Sequence, residues 1–412
     1  MNQFIAKKSL AIVVPEMLPV PPVKGGAVEH WVHEVSQRLD HAKFEITIVS
    51  RPADANGVEN VKYLNIAWTK TEQFFFRIKE KVSWRNPLRF LAKIQNVFSY
   101  GLRMAKLVRR FDIVVIHNEP NFLFFIQKNP QQTLILHMHN AHLGIAIFRP
   151  FYRRALKKVD KVICVSDYIR RHAVQFYPEH AGKFSVVFNA TDPEVFKPYG
   201  DEAASHLKGL VDIEADKTYL LYVGRLTEIK GVHVLIKAFI TIHAQLPNTR
   251  LIIAGSSFFE GATKTDYEQS LVELAKPVNH AIIFTGYMPH EKLRYVYSAA
   301  NMVVLPSVWQ DPCPLVVLES MASGTCLISS AVGGVPEILK NGVNGLLVNA
   351  GDADNLAKVA VEILSNSLLK TQMEHAARQM ILAGYKWERL VNELEVEFLH
   401  AESKITRLAY AN

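Results

Sequence analysis

The chain has 412 residues, too many for one ordinary core and suited to two domains. Its composition is globular rather than disordered, with 49% hydrophobic and 21% charged residues. The net charge is +8, and the three cysteines (Cys164, Cys313 and Cys326) form no CxxC pair, so reduced core thiols in a reducing compartment are expected.

At the amino end, Lys7 and Lys8 precede "SLAIVV". That apolar run is too short for a signal-peptide core and meets Pro15 and Glu16 at once. No run approaches the length of a spanning helix. A soluble, cytoplasmic protein is the expectation. The first predicted strand is "LAIVV" (10–14), followed by "PPVKGGAVEHW". Gly25-Gly26 opens a helix there, so backbone amides can approach a charged ligand closely. Gly-Gly is also a plain turn. The chain has no GxGxxG and no GxxxxGK, which argues against a nicotinamide dehydrogenase and a P-loop enzyme.

A second strand, "EITIVS" (45–50), leads to a basic, aromatic stretch. Between residues 70 and 110 there are eleven Lys or Arg against Glu72 and Glu80, mixed with "FFF" at 74–76, Trp84, Phe90, Phe98 and Tyr100. Such a segment suits an anionic membrane surface or a phosphorylated acceptor. An ordinary helix with a solvated basic face reads equally well. No nucleic-acid-binding motif is present, and no nucleic acid partner is expected.

Next come "DIVVIH" (112–117), "TLILHMH" (133–139) and "KVICVS" (161–166). The first ends in His117-Asn118-Glu119. The second carries His137 and His139 on one side and Met138 on the other. A histidine at the top of a strand can bond a sugar hydroxyl or stabilise developing charge. At least one of the pair is expected to be structural. His139, nearer the strand end, is assigned the functional role. No metal is expected, because these histidines lie on different elements without a carboxylate or cysteine at ligand spacing.

The Pro- and Asp-rich "NATDPEVFKPYGDE" (189–202) marks the boundary between domains 1–193 and 194–385. Beyond it run "TYLLYV" (218–223), "RLIIAG" (250–255), "AIIFTG" (281–286), "NMVVLP" (301–306) and "TCLISS" (325–330). Continuous apolar strands separated by amphipathic helices imply parallel sheets buried on both faces. The architecture is therefore α/β: two doubly wound, Rossmann-like domains facing a central cleft, with ligands at the carboxyl ends of the strands. The last helix (386–412) follows no strand and is free to pack back across the domain boundary.

Three strand ends in the second half carry chemistry. "YVGRLTEIKGVHVLIKAF" sets Gly224, Arg225 and Lys230 before a helix, a cage suited to a diphosphate. If a nucleoside diphosphate leaves, its charge grows as the bond breaks, and cations held there act as catalysts. "MVVLPSVWQDPCPLVVLESMASG" puts Asp311 in a loop and Glu319 early in a helix. One carboxylate suits a ribose diol and the other a hexose. "AVGGVPEIL" offers Gly333 and Gly334 at another helix start, suited to a phosphate or a sugar. "DAD" at 352–354 reads as a helix N-cap rather than a metal motif.

"GRLTEIKG", "DPCPLVVLESMASG" and "GGVPEILKNGVNGLLV" resemble the retaining glycosyltransferases of family 4, which have the GT-B fold. The resemblance covers nearly the whole chain and is most specific from about Tyr222 to Val348. It implies that Arg225 and Lys230 hold a nucleotide diphosphate, Glu319 binds the ribose, and His139 is the first-domain active-site histidine. It also implies that Gly25-Gly26 lies near the transferred sugar and that neither a metal nor another cofactor is needed. Asp311 departs from the pattern, being one methylene shorter than the usual Glu. "PPVKGGAVEHWVHEVSQRL" and "HMHNAH" are similar to the lipopolysaccharide core N-acetylglucosaminyltransferases of the RfaK type. That similarity implies UDP-N-acetylglucosamine as donor and a membrane-anchored, phosphorylated glycan as acceptor, with peripheral contact at the inner membrane through segment 70–110. Two other readings stay open. One is a non-catalytic nucleotide-sugar-binding scaffold at a surface or coat. The other is a sugar synthase with a soluble acceptor.

Overall fold

The computed structural model describes residues 7–23, 26–81, 87–256 and 265–409. Gly25, Trp84 and Arg85 lie outside the described residues, as do the side chains of Lys79, Lys81 and Arg89. The chain forms two compact units. One runs to Val187 and takes the chain back from Val391, and the other is Phe188–Leu390.

Among the described residues the first unit is built on seven strands: β1 (Lys8–Val13), β2 (Phe44–Ser50), β3 (Lys62–Asn65), β4 (Ile113–His117), β5 (Thr133–Met138), β6 (Lys161–Cys164) and β7 (Phe184–Val186). Their order is β3-β2-β1-β4-β5-β6-β7, all parallel. The second unit has six among the described residues: β8 (Thr218–Val223), β9 (Thr249–Ala254), β10 (Ile282–Gly286), β11 (Met302–Leu305), β12 (Cys326–Ser330) and β13 (Leu346–Val348). Their order is β10-β9-β8-β11-β12-β13, again all parallel. Both sheets follow the doubly wound order, in which the chain starts in the middle and reverses direction between the two halves. The central strands are buried almost throughout, which is why Val, Ile and Leu run on in them without alternation.

Ten strands were legible as apolar runs. The three that were not (β3, β7 and β13) are edge strands of three or four residues with half-exposed side chains. An edge strand needs no continuous apolar run, so its sequence carries little signal.

The unit boundary falls six residues before the expected one. The Pro- and Asp-rich stretch is not a free linker, because the second unit binds its backbone. Asn189 donates to the Cys313 carbonyl at 2.8 Å, Thr191 N–H to Tyr385 at 2.9 Å, and Arg389 to the Phe188 and Asn189 carbonyls at 3.0 and 3.1 Å. The last helix, Trp387–Ala409, belongs from Val391 onward to the first unit. There Glu395 accepts from the Asp40 amide at 2.8 Å and from Lys43 at 2.7 Å, Glu397 pairs with Lys161 at 2.7 Å, and Phe398 packs edge-on against Phe44.

Segment 70–110 forms two packed helices, Lys70–Lys81 and Pro87–Val108. Part of its charge is spent inside. Glu72 is fully buried and takes Arg51 and Arg103, the latter through both carboxylate oxygens at 2.7 Å. Phe74, Leu88, Phe90, Leu91 and Phe98 are exposed, whereas Tyr100 is buried. Asp352 caps the helix Ala353–Leu364 by accepting from the Asn355 amide at 3.0 Å, as "DAD" implied.

Candidate functional site

In the second unit, the expected residues gather at the carboxyl ends of the strands. Tyr222, the penultimate residue of β8, donates to the Arg225 carbonyl at 2.9 Å, fixing the turn that carries Gly224 and Arg225. The chain then makes a short turn, Glu228–Lys230, before the helix Val232–Gln245. The Val308 amide, just after β11, donates to the Ile229 carbonyl at 3.0 Å and ties that turn to the loop holding Asp311. Lys230 Nζ donates to Asp311 Oδ2. Asp311 is buried, and Arg225 is exposed. A buried carboxylate needs such a partner, since an unpaired charge away from water is costly.

Glu319 is the fifth residue of the eight-residue helix Leu315–Ala322, hence mid-helix rather than at its start. Both its oxygens are engaged: Tyr297 donates to Oε2 at 2.9 Å, and His290 Nε2 lies 3.3 Å from Oε1. Burial, then the Glu319 charge, drives the Tyr297 pKa well above its usual value, so it remains a donor. Phe196 packs edge-on against both the His290 and Tyr297 rings. Tyr297 and His290 sit seven positions apart on one helix, His290–Ala299, and nothing in their sequence spacing marks them.

The glycines act differently from expectation. The Gly333 and Gly334 amides, expected to face a phosphate or a sugar, already have protein partners, and so does the Gly224 amide. Gly224 N–H donates to the Ala254 carbonyl at 3.0 Å, Gly333 N–H to Gln310 Oε1 at 2.7 Å, and Gly334 N–H to the Asp311 carbonyl at 2.9 Å. Gly333 has φ of 57°, and a Cβ there would run into the Asp311 backbone. The pair therefore serves to let the Asp311 loop lie against the next helix start.

In the first unit, Gly26 has φ of 104° and opens the helix Ala27–Arg38. The Glu29 carboxylate fills the space a Cβ on Gly26 would need. Burial pushes the Glu29 pKa up to about 7, opposed by its own amide and supported by the nearby Glu16.

The first unit also holds a histidine cluster. His117 and His137 are paired across the β4–β5 register. His139 follows, and its ring lies 4.5 Å from that of His137, nearly parallel. His117 Nδ1 is 3.0 Å from His139 Nε2. Trp31 packs against all three rings, at 5.2 Å from His117, 4.7 Å from His137 and 5.2 Å from His139. Asn118, in the left-handed region at φ of 54°, knits the corner. Its amide donates to the His137 carbonyl at 2.8 Å, its side chain accepts from the His139 amide at 3.2 Å, and its carbonyl lies 2.9 Å from His142 Nδ1. Burial pushes the His139 pKa down to about 3 and drives His117 and His137 well below their usual value. All three rings are therefore neutral near pH 7. The spacing that argued against a metal is spacing along the chain, and strand register cancels it. The rings meet because two neighbouring parallel strands end together.

Comparison with known proteins follows this geometry. Residues 25–195 match the family model described as Glycosyltransferase Family 4, and residues 209–380 match Glycosyl transferases group 1. The chain is similar to Lipopolysaccharide 1,2-N-acetylglucosaminetransferase of Salmonella typhimurium, with 26% identity over 94% of this chain and 97% of that protein. It is similar to Spore coat protein SA of Bacillus subtilis, with 25% identity over 93% and 97%. Among solved structures, Anabaena Alr3699/HepE in complex with UDP and glucose superposes with a TM-score of 0.71 at 16% identity, covering 93% of this chain and 98% of that one. The likeness establishes the fold as GT-B.

Proposed function

From a chain whose halves are a Glycosyltransferase Family 4 domain and a Glycosyl transferases group 1 domain, we propose a retaining glycosyltransferase that moves N-acetylglucosamine from UDP-N-acetylglucosamine onto a lipopolysaccharide core or similar cell-surface glycan. The observation that carries this reading is the constellation on the strand ends of the second unit. Lys230, on the same loop as Arg225, donates to a buried carboxylate, and a second carboxylate is held by a tyrosine and a histidine. In this reading Arg225 and Lys230 grip the diphosphate. As the sugar–phosphate bond breaks, the leaving oxygen gains charge, and the two cations stabilise it. The acceptor hydroxyl attacks the same face of the sugar, and configuration is kept. Glu319 addresses the ribose diol, Asp311 the hexose and Lys230, and His139 a hydroxyl of the transferred sugar. Transfer itself needs no metal.

The donor and acceptor rest on the Salmonella relative, whose name is that of an N-acetylglucosamine transferase of lipopolysaccharide. Membrane contact rests on the exposed Phe74, Leu91 and Phe98 beside the basic residues of the first unit's two packed helices. No helix among the described residues is long and apolar enough to cross a membrane.

A second reading, a nucleotide-sugar-binding coat protein without transfer activity, is favoured by the equally extended match to Spore coat protein SA. Thermal stabilisation against a panel of nucleotides and nucleotide sugars tests both. A shift with UDP and UDP-N-acetylglucosamine but not GDP sugars, followed by transfer to a core acceptor with retained configuration, supports the enzyme. A shift without hydrolysis or transfer supports the coat protein. No shift with any nucleotide overturns both.

A further inference from the structure

We infer that His117, His137 and His139 form a site for a divalent transition-metal ion of the zinc, cobalt, nickel or copper class. Each ring offers one nitrogen, and these three nitrogens lie within 4.8 Å of one another. Three points that close always share a centre within about 2.8 Å of each, so a bond of about 2.0–2.1 Å asks each ring to move by less than about 1 Å. Imidazole selects borderline metals over calcium or magnesium, which favour oxygen donors. Three such ligands leave one position of a tetrahedral ion for water or an anion.

A second observation points to a ligand. His137 is fully buried, and neither of its ring nitrogens has a hydrogen-bond partner among the described residues. A buried imidazole carries one donor and one acceptor, and leaving both unmade is expensive. Coordination to an ion satisfies the acceptor nitrogen. His117 and His139 would exchange their mutual 3.0 Å contact for two metal bonds. Trp31 closes one side of the cluster and restrains all three rings. Asn118 fixes the backbone between the strand ends.

The ion takes His139 out of any other work. On the reading given under Proposed function, and resting on it, the bound metal is an inhibitor of transfer rather than its cofactor.

The test uses the full chain, tag-free, in a His243→Gln background. That change removes a competing pair, since His243 and His280 bring their Nε2 atoms within 3.2 Å. Co(II) is titrated at pH 7.5 with visible absorption and calorimetry. One ion per chain is expected, with intense tetrahedral absorption and Kd below about 10 μM. His137→Gln and His117→Gln should each weaken binding about 100-fold while the protein still melts cooperatively. If neither variant folds, X-ray absorption on the Co(II)-loaded protein decides. Three imidazole nitrogens at about 2.0–2.1 Å support the site, and fewer than three overturn it. Absent or octahedral Co(II) binding, or unchanged affinity in a folded variant, also overturns it. A loaded protein without transferase activity in either form leaves the site standing and removes the inhibitory role. Active enzyme that binds no Co(II) overturns the site and its inhibitory role together, and leaves the transferase reading standing.

Discussion

Lys230 donates to Asp311 across 81 positions of sequence, joining the loop after β8 to the loop after β11. The pair is partly buried, with side chains 24% and 11% exposed, so each partner depends on the other. Lys230→Ala removes a phosphate-binding cation and also strands a buried carboxylate. We expect turnover to fall by about 10²–10³, read as UDP release from the donor. Arg225→Ala should fall by a similar factor without loss of stability, because Arg225 is exposed. Wild-type turnover in both variants would remove the diphosphate role.

Asp311→Glu lengthens the acid by one methylene while its ion partner stays in place. If Asp311 touches the hexose, the change should alter KM for the donor sugar and leave affinity for free UDP within about twofold. Equal effects on UDP and on the sugar nucleotide would show that it acts only through Lys230.

Tyr297→Phe tests the way Glu319 is held. It deletes one hydrogen bond to a charged group, about 1.5–3 kcal/mol in such settings. If the ribose diol binds Glu319, UDP affinity should drop by about tenfold or more, with kcat changed less. Calorimetric titration of UDP measures it. Glu319→Ala should lose more affinity than Tyr297→Phe, and unchanged affinity in that variant would exclude a ribose contact.

Gly333→Ala places a Cβ against the Asp311 backbone at a positive φ. A cost of about 1–3 kcal/mol is expected. Because the strain falls on the Asp311 loop, activity should fall further than the melting temperature alone accounts for. A variant that melts lower yet keeps full kcat would separate the loop from catalysis.

Glu29 has a raised pKa in the folded chain, about 7 against an ordinary 4.5. The folded state therefore binds the proton more tightly than the unfolded one between these values. Its stability contribution is complete below about pH 4.5 and is lost as pH rises through about 7. Glu29→Gln mimics the protonated form. The variant should match the wild type near pH 4.5 and exceed it by up to about 3 kcal/mol at pH 8. Denaturant midpoints at the two pH values check the sign, and a constant difference would refute it.

Much of this fold was legible because parallel strands buried on both faces write long apolar runs, as in "TYLLYV", found at Thr218–Val223 as read. Edge strands such as β13 write none. The placing of Arg225 and Lys230 after one strand and of Glu319 on the helix after another was legible, because each follows an apolar run, β8 or β11. The site was not legible where a partner arrives through folding. Tyr297 and His290 reach Glu319 from 22 and 29 positions away, and Gln310 reaches the Gly333 amide from 23. The histidines show the same limit. His117 lies 22 positions from His139, and only the β4–β5 register brings their rings together.

The return of the last helix to the first unit has a consequence for synthesis. While the ribosome makes the 203 residues of Phe188–Leu390, Phe44, Lys43 and the Asp40 amide wait for partners not yet translated. At about 5–20 residues per second that interval is roughly 10–40 s. During it the second unit can complete its own sheet from continuous sequence, while the nascent first unit remains without its final covering helix. A nascent chain stalled before Val391 should therefore be the species most in need of chaperones.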